Sequence, residues 1–282
     1  MRSTAKQIGI PVFCLIFLLF FTLPTLGNWK KLNDGLELGS FLPPQQSGND
    51  DSLIRVLRID PRRYGLRLLN ASGRKDGRGM STKEWSLKFG LQAAINASMY
   101  QKDYKTSVSL MRRKGHINNA RLSKDKAILA FNSKNPQVPP IRIIDRQWDD
   151  FHEIKSQYRT LIQNIRMISC RGINVWRQQS GRWSTAALAL DNNGNVLFIH
   201  VKSPYSTHDL ADILLDLPLG IDRAMYLEGG PQAQLFIQSR GETHEFFGTY
   251  SGTFSNTVPP NYAWPIPNVI GVYLRSDPTV NK

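Results

Sequence analysis

The side chain best suited to chemistry in this 282-residue sequence is Glu228, in the stretch RAMYLEGGPQAQLFI from Arg223 to Ile237. A short apolar run, Ala224 to Leu227, delivers the acid directly onto Gly229-Gly230-Pro231, and an alternating run with Ala233, Leu235 and Ile237 leaves it. Strand, acid, paired glycines and strand hold a carboxylate at the lip of a sheet, because glycine permits backbone angles and close approach that a side chain blocks. A carboxylate held there can act as a base, attack a substrate or stabilise a developing positive charge. The alternative is a β-hairpin whose turn carries a surface Glu. Other constellations are missing: the sequence has no G-x-S-x-G elbow, no H-E-x-x-H, no P-loop and no paired-cysteine metal site. Five histidines (His116, His152, His200, His208 and His244) show no ligand spacing, so no metal site and no cofactor are expected.

The elements around Glu228 read mostly as strands. Asp34 to Phe41 reads as an edge strand, followed by a loop from Pro43 to Gly48. Leu53–Ile59 and Tyr64–Leu69 alternate like two strands joined through Pro61. Ser81 and Glu84 form a capping box for a helix that reaches Phe89 and stops at Gly90. Ala93 to Tyr100 reads as a buried strand, and Ala127–Phe131 and Ile141–Ile144 as two more. Phe151, Ile154, Tyr158, Leu161 and Ile162 fall on one helical face, which predicts a helix over Asp149–Gln163. Ile165–Ser169 and Ile173–Trp176 read as strands around Cys170-Arg171-Gly172. The clearest hairpin pairs Thr185–Leu190 with Asn195–Val201 across Asp191-Asn192-Asn193-Gly194. A helix capped by Ser206 precedes the Glu228 strand, and Val269–Leu274 is the last strand. Strands outnumber helices severalfold, so the fold class is α+β with a mixed, mainly antiparallel sheet in a single domain.

Residues 1–27 stand apart from that domain, which spans residues 28–282. Arg2 and Lys6 precede an apolar run from Ile8 to Leu26, ending in small residues before Asn28. This is the pattern of a secretory signal peptide, or of an uncleaved N-terminal anchor associating with a membrane through residues 8–26. Without the leader only Cys170 remains of the two cysteines, so no intramolecular disulfide is available and the core alone must stabilise the domain. The net charge is +14, which favours anionic partners. The lysines and arginines are dispersed and no zinc-finger, RNP or helix-turn-helix pattern occurs, so nucleic-acid binding is not expected. Asn70-Ala71-Ser72 and Asn96-Ala97-Ser98 match the glycosylation sequon.

Three segments in order, INASMY (Ile95 to Tyr100), the Trp183–Leu215 hairpin and helix, and AMYLEGGPQAQLFI (Ala224 to Ile237), resemble the phosphodiester glycosidase family. The resemblance places Asn96 at that family's strand-end Asn, Tyr100 at its aromatic, and Glu228, Gly229 and Gly230 at its acid-Gly-Gly signature. Gln232 and Gln234 stand where many relatives have smaller or acidic residues, and two further positions depart from the family pattern. Its acid is usually Asp, and its Arg-Thr-Ala is here Ser184-Thr185-Ala186, with Arg182 nearby.

The resemblance implies an exported hydrolase that cleaves the glycosidic bond of sugar-1-phosphodiesters in envelope or exopolysaccharide material. Its substrate would be an anionic carbohydrate or sugar phosphate. Glu228 would stabilise or attack the oxocarbenium-like centre, or activate water, and Asn96 would orient the acid or bind a sugar hydroxyl. Arg171, Arg182 and Lys202 would hold the phosphate. Ser206, Thr207 and His208, in the first turn of their helix, would add an anion site, with Tyr100 and Thr185 completing the substrate contacts. A non-catalytic binding module for anionic glycans or envelope polymers is the alternative, kept open by the two departures.

Overall fold

The computed structural model describes residues 27–42, 53–249 and 262–275. Nearly all of the expected leader, and the Pro43–Gly48 loop, lie outside the described residues. Within them the chain forms β1 (Asn28–Asn33), β2 (Leu36–Phe41), β3 (Ile54–Ile59), β4 (Tyr64–Asn70), α1 (Thr82–Phe89), β5 (Ala93–Asn96), β6 (Met111–Arg113), β7 (His116–Asn119), β8 (Ala127–Ser133) and β9 (Ile141–Asp145). There follow α2 (Phe151–Ile154), β10 (Tyr158–Ile168), β11 (Trp183–Asp191), β12 (Val196–Tyr205), α3 (Thr207–Asp216), β13 (Ile221–Gly229), β14 (Gln234–Ser239), β15 (Glu242–Phe247) and β16 (Asn268–Leu274).

These strands make two sheets. The larger has eleven strands, with β1-β2-β3-β12-β11-β13-β10-β6-β7 as its main path and β8 and β9 joining through β10. The smaller runs β15-β14-β5-β16-β4. Pairing is antiparallel throughout both. The fold is thus the antiparallel α+β domain that the strand pattern predicts.

Alternation decides the layers. In β11, Ala186, Leu188 and Leu190 face the core between the sheets, whereas Ala187 and Ala189 face the opposite cluster, which holds Leu210, Ala211 and Leu214 of α3. In β5, Ala93 and Ile95 face the inter-sheet core and Ala94 faces Trp85 of α1. A strand buried on both faces reads as a continuous apolar run, which is how both segments look. Each large apolar side chain buried in this way stabilises the fold by about 1.5–3 kcal/mol. Trp85 is fully buried, and its indole N–H is satisfied by the Ile266 carbonyl at 3.0 Å. Ser81 and Glu84 form the expected capping box.

Four local expectations need correction. The helix predicted over Asp149–Gln163 is one turn, Phe151–Ile154, followed by a short 3-10 segment, and from Tyr158 the chain is strand. Tyr158 to Asn164 pair with β8, and a ladder on a central strand outweighs the helical spacing of five apolar residues. Ile173–Trp176 is a loop held by an isolated bridge, Ile168 to Asn174. The strand predicted from Ala93 to Tyr100 stops at Asn96. Finally, Leu36–Phe41 is an interior strand paired on both sides, and the edge falls to β1.

Candidate active site

β13 lies between β10 and β11 in the middle of the large sheet. Its end is irregular: Ala187 pairs with Tyr226 and Ala186 with Glu228, leaving Leu227 as an extra residue. A bulge of this kind re-aims the side chain that follows it, here Glu228. Beyond the acid the chain does not fold back as a hairpin. Gly229 is extended, Gly230 takes a left-handed φ of +64°, and a 3-10 turn through Pro231 and Gln232 carries the chain to β14 in the other sheet. Glu228 therefore stands at the crossing between the two sheets. A Cβ on Gly229 would lie 2.1 Å from the Tyr226 hydroxyl and 2.6 Å from Trp183 Cδ1, so glycine is required there by contact rather than by φ.

The crossing is fastened from three directions. Asn96, 1% exposed at the end of β5, donates from Nδ2 to the Gln232 carbonyl and accepts from the Gln234 N–H, both at 2.7 Å. His200 of β12, equally buried, meets the Ala233 carbonyl through Nε2 at 3.2 Å, and that acceptor makes Nε2 the protonated nitrogen. The Gly248 N–H reaches the same carbonyl at 2.8 Å. Gln234 ties the turn to α1, accepting from the Thr82 N–H at 3.1 Å and donating to the Trp264 carbonyl at 2.6 Å. Asn96 thus braces the acid's turn with both of its polar atoms.

Electrostatics follow from burial. Glu228 has no cation at ion-pair distance among the described residues, and desolvation raises its carboxyl from 4.5 to about 7, against a smaller opposing effect of the Gly229 N–H at 3.0 Å. Burial and the neighbouring Glu228 push Tyr226 well above its usual range, while the Trp183 indole, which faces it without a full hydrogen bond, works weakly the other way. Tyr226 therefore remains a protonated donor beside the acid. His200 is driven the opposite way, from 6.5 to about 4, by burial first, with Lys202 and Arg55 adding to the effect and the Ala233 carbonyl opposing it. At neutral pH His200 is an uncharged brace.

The β11 register collects most of the predicted residues at one end of the sheet. Thr185 is buried and pairs with Gly229, and the Trp183–Tyr205 pair sets Ser206 and Thr207 beside that end. Ser206 caps α3 by accepting from the Asp209 N–H at 3.0 Å, and the fully buried Thr207 hydroxyl has no partner among the described residues. His208 faces acids of its own helix, with Nδ1 3.3 Å from Asp212 and 3.7 Å from Asp209. Lys202 is half-buried two residues along β12 from His200, and Arg182 is exposed just before β11. Tyr100 sits in the loop beyond Asn96, its ring 5.8 Å from that of Tyr104.

Arg171 is not brought to this end. β10 runs antiparallel to β13, with Ile165 opposite Tyr226 and Ile168 opposite Ala224, so each residue past Ile168 lies farther from Glu228. Arg171 instead stacks on Trp148 at 3.7 Å. Sequence reasoning also passed over two residues. Tyr226 precedes the acid by one strand period, and His200 faces the inter-sheet core in step with Phe198, so alternation carried the signal for both. Among the described residues no three His, Cys, Asp or Glu side chains group as metal ligands. Both sequon asparagines are buried, Asn70 at 3% and Asn96 at 1% exposure.

The sequence pattern of the phosphodiester glycosidase family matches residues 89–273, which include β5, β11 to β14 and the turn after Glu228, and the chain belongs to that family. Among solved structures it is similar to the catalytic domain of zebrafish N-acetylglucosamine-1-phosphodiester alpha-N-acetylglucosaminidase, auto-inhibited by its pro-peptide. That likeness has a TM-score of 0.61 and 13% identity, over 90% of this chain and 89% of the other. It is also similar to a hypothetical protein from Synechocystis, with a TM-score of 0.56 and 16% identity, over 88% of this chain and 64% of that one. A Burkholderia pseudomallei protein described as exported matches at a TM-score of 0.50 and 10% identity, over 78% of this chain and 73% of its own. At these identities the structures establish a shared fold. No curated protein sequence matches the chain.

Proposed function

We propose that the protein is an exported glycosidase that hydrolyses the glycosidic bond of sugar-1-phosphodiesters in envelope or exopolysaccharide material, with Glu228 as its catalytic carboxylate. The observation that carries this reading is the placement of Glu228: a part-buried acid on a bulge, at the crossing of two sheets, titrating near neutrality. The leaving group is a phosphate ester that departs as an anion and needs little protonation. The demand falls on the anomeric centre, where positive charge develops, and an ionised carboxylate answers it by stabilising that charge, bonding to it or activating water. Tyr226 is a protonated donor next to the acid. Arg182, Lys202 and the Thr207 end of α3 supply positive charge and hydrogen-bond donors at the same end of the sheet, suited to the phosphate. Export rests on the leader pattern of residues 1–27. No helix among the described residues is long and apolar enough to cross a membrane.

The test is release of free sugar from a sugar-1-phosphodiester by the purified protein and by Glu228→Gln. Loss of at least about 100-fold in kcat with unchanged folding is expected for a group acting on the reacting centre. Equal hydrolysis by both proteins sinks the assignment, and no hydrolysis by either, with retained binding, returns the chain to the class of glycan-binding modules.

A further inference from the structure

We propose that the cleft between the β6–β7 hairpin and the adjoining parts of β8–β10 binds the anionic groups of a phosphate-bearing glycan chain, as a subsite separate from Glu228. The cleft is open to solvent, has a volume of about 680 Å³ and is lined by Arg112, Arg113, Lys114, His116, Lys134 and Arg159, together with Ile117 and Tyr158. A cavity of that size is in the range that holds small organic ligands.

No acid lines it. Among the described residues the guanidinium groups make only single bonds to backbone carbonyls: Arg112 to Lys155 at 3.3 Å, Arg113 to Lys114 at 3.3 Å and Arg159 to Ser133 at 3.0 Å. Arg113 Nε is buried without a partner among those residues. Five like charges lining one cleft repel each other, and an anion there relieves the repulsion. Forked guanidinium donors suit phosphate oxygens in particular.

The lining selects the kind of polyanion. Tyr158 is 1% exposed, so the cleft offers no Phe, Tyr or Trp ring for a base to stack on, which disfavours single-stranded nucleic acid. Ile117, 63% exposed on the hairpin, offers an aliphatic surface to the carbon face of a sugar beside the cations that take its phosphate.

The position suits a long substrate. Arg159 lies six residues down β10 from Ile165, or about 20 Å at the rise of a strand. Because β10 and β13 are antiparallel, this stretch of β10 points the same way as the Glu228 end of β13. A polymer held by the cleft can therefore reach the acid. Only the identity of that polymer rests on the glycosidase reading.

The test measures binding of the purified protein to a phosphomannan, with uncharged mannan, single-stranded DNA and phosphatidylglycerol vesicles as comparisons. Lys114→Glu/Lys134→Glu/Arg159→Glu alters three exposed side chains and should weaken phosphomannan binding at least tenfold. The slope of log affinity against log salt should fall by about 2, at ~0.7 per lost phosphate contact. The milder Lys114→Gln/Lys134→Gln should lie between, and turnover of a small sugar-1-phosphodiester should be unchanged. Binding of uncharged mannan as tight as phosphomannan overturns the proposal, as does unaltered binding by the triple variant or tighter retention of DNA or vesicles through the same residues. If Glu228→Gln keeps its hydrolytic activity while the cleft variant loses binding, the catalytic assignment fails and the subsite stands.

Discussion

Replacing Glu228 by Gln should inactivate the protein and stabilise it, and the gain should depend on pH. In the fold the carboxyl titrates at about 7, against 4.5 when free in solution. Below pH 4.5 it is protonated in both states and the two proteins should be equally stable. As pH rises from 4.5 to 7 the unfolded chain gives up this proton first, so the wild type loses stability across that window. The difference of about 2.5 units corresponds to about 3 kcal/mol at 1.36 kcal/mol per unit, and partial exposure of the side chain brings the range to about 1–3 kcal/mol. Glutamine keeps the volume and an acceptor for the Gly229 N–H, and carries no charge to desolvate. His200 acts in the opposite sense. Its pKa falls from 6.5 unfolded to about 4 folded, so the fold gains stability as pH rises from 4 to 6.5. Between pH 4.5 and 6.5 the two slopes offset one another in the wild type. Urea unfolding at a series of pH values reads this directly: Glu228→Gln should show a slope rising with pH, and His200→Gln a falling one. A Glu228→Gln protein that is no more stable than wild type above pH 7, or equally more stable at every pH, refutes the argument.

Three further outcomes follow from the same geometry. Hydrolysis should rise with pH and reach half its plateau near pH 7, since the proposed mechanism uses the ionised form of Glu228; a kcat profile that falls through this range contradicts that role. Asn96→Ala leaves the Gln232 carbonyl and the Gln234 N–H unpaired in the interior and should cost about 2–4 kcal/mol in denaturant unfolding, with kcat falling further than any change in KM. Gly229→Ala drives a methyl group into the Tyr226 hydroxyl and Trp183, and should cost about 1–3 kcal/mol with loss of activity, which thermal unfolding and the hydrolysis assay will show together.

Local patterns were legible where one neighbour decides the structure. The β11–β12 hairpin follows from alternation on both sides of Asp191-Asn192-Asn193-Gly194, and its register is regular from Leu190–Val196 to Thr185–Val201, shifting only between Thr185 and Trp183. The α1 cap is a four-residue matter and was readable from Ser81 and Glu84 alone. What distant partners decide was not legible. Tyr158 to Asn164 carry helical spacing, yet six of these residues pair with β8, some thirty residues earlier. The Gly229-Gly230 step looks the same in a hairpin and in a crossing, since only the destination of β14 separates them. Arg171 was grouped with the site by residue type, and the direction of β10 sends it to the other end. Asn96 and Glu228 were found in the sequence because their motifs are local, although the bonds that join their segments are not.

Those bonds bear on when the proposed activity can appear. Asn96 meets Gln232 and Gln234 across 136 and 138 residues, His200 meets Ala233 across 33, and β14, β5, β16 and β4 reach the small sheet from widely separated parts of the chain. Closing loops of that length is slow, and such contacts form late on the folding path. The turn that aims Glu228 is fastened only once both sheets exist. An incompletely folded chain then lacks an aimed acid, and onset of hydrolysis during refolding becomes a clock for the last docking step, trailing the signals of strand formation.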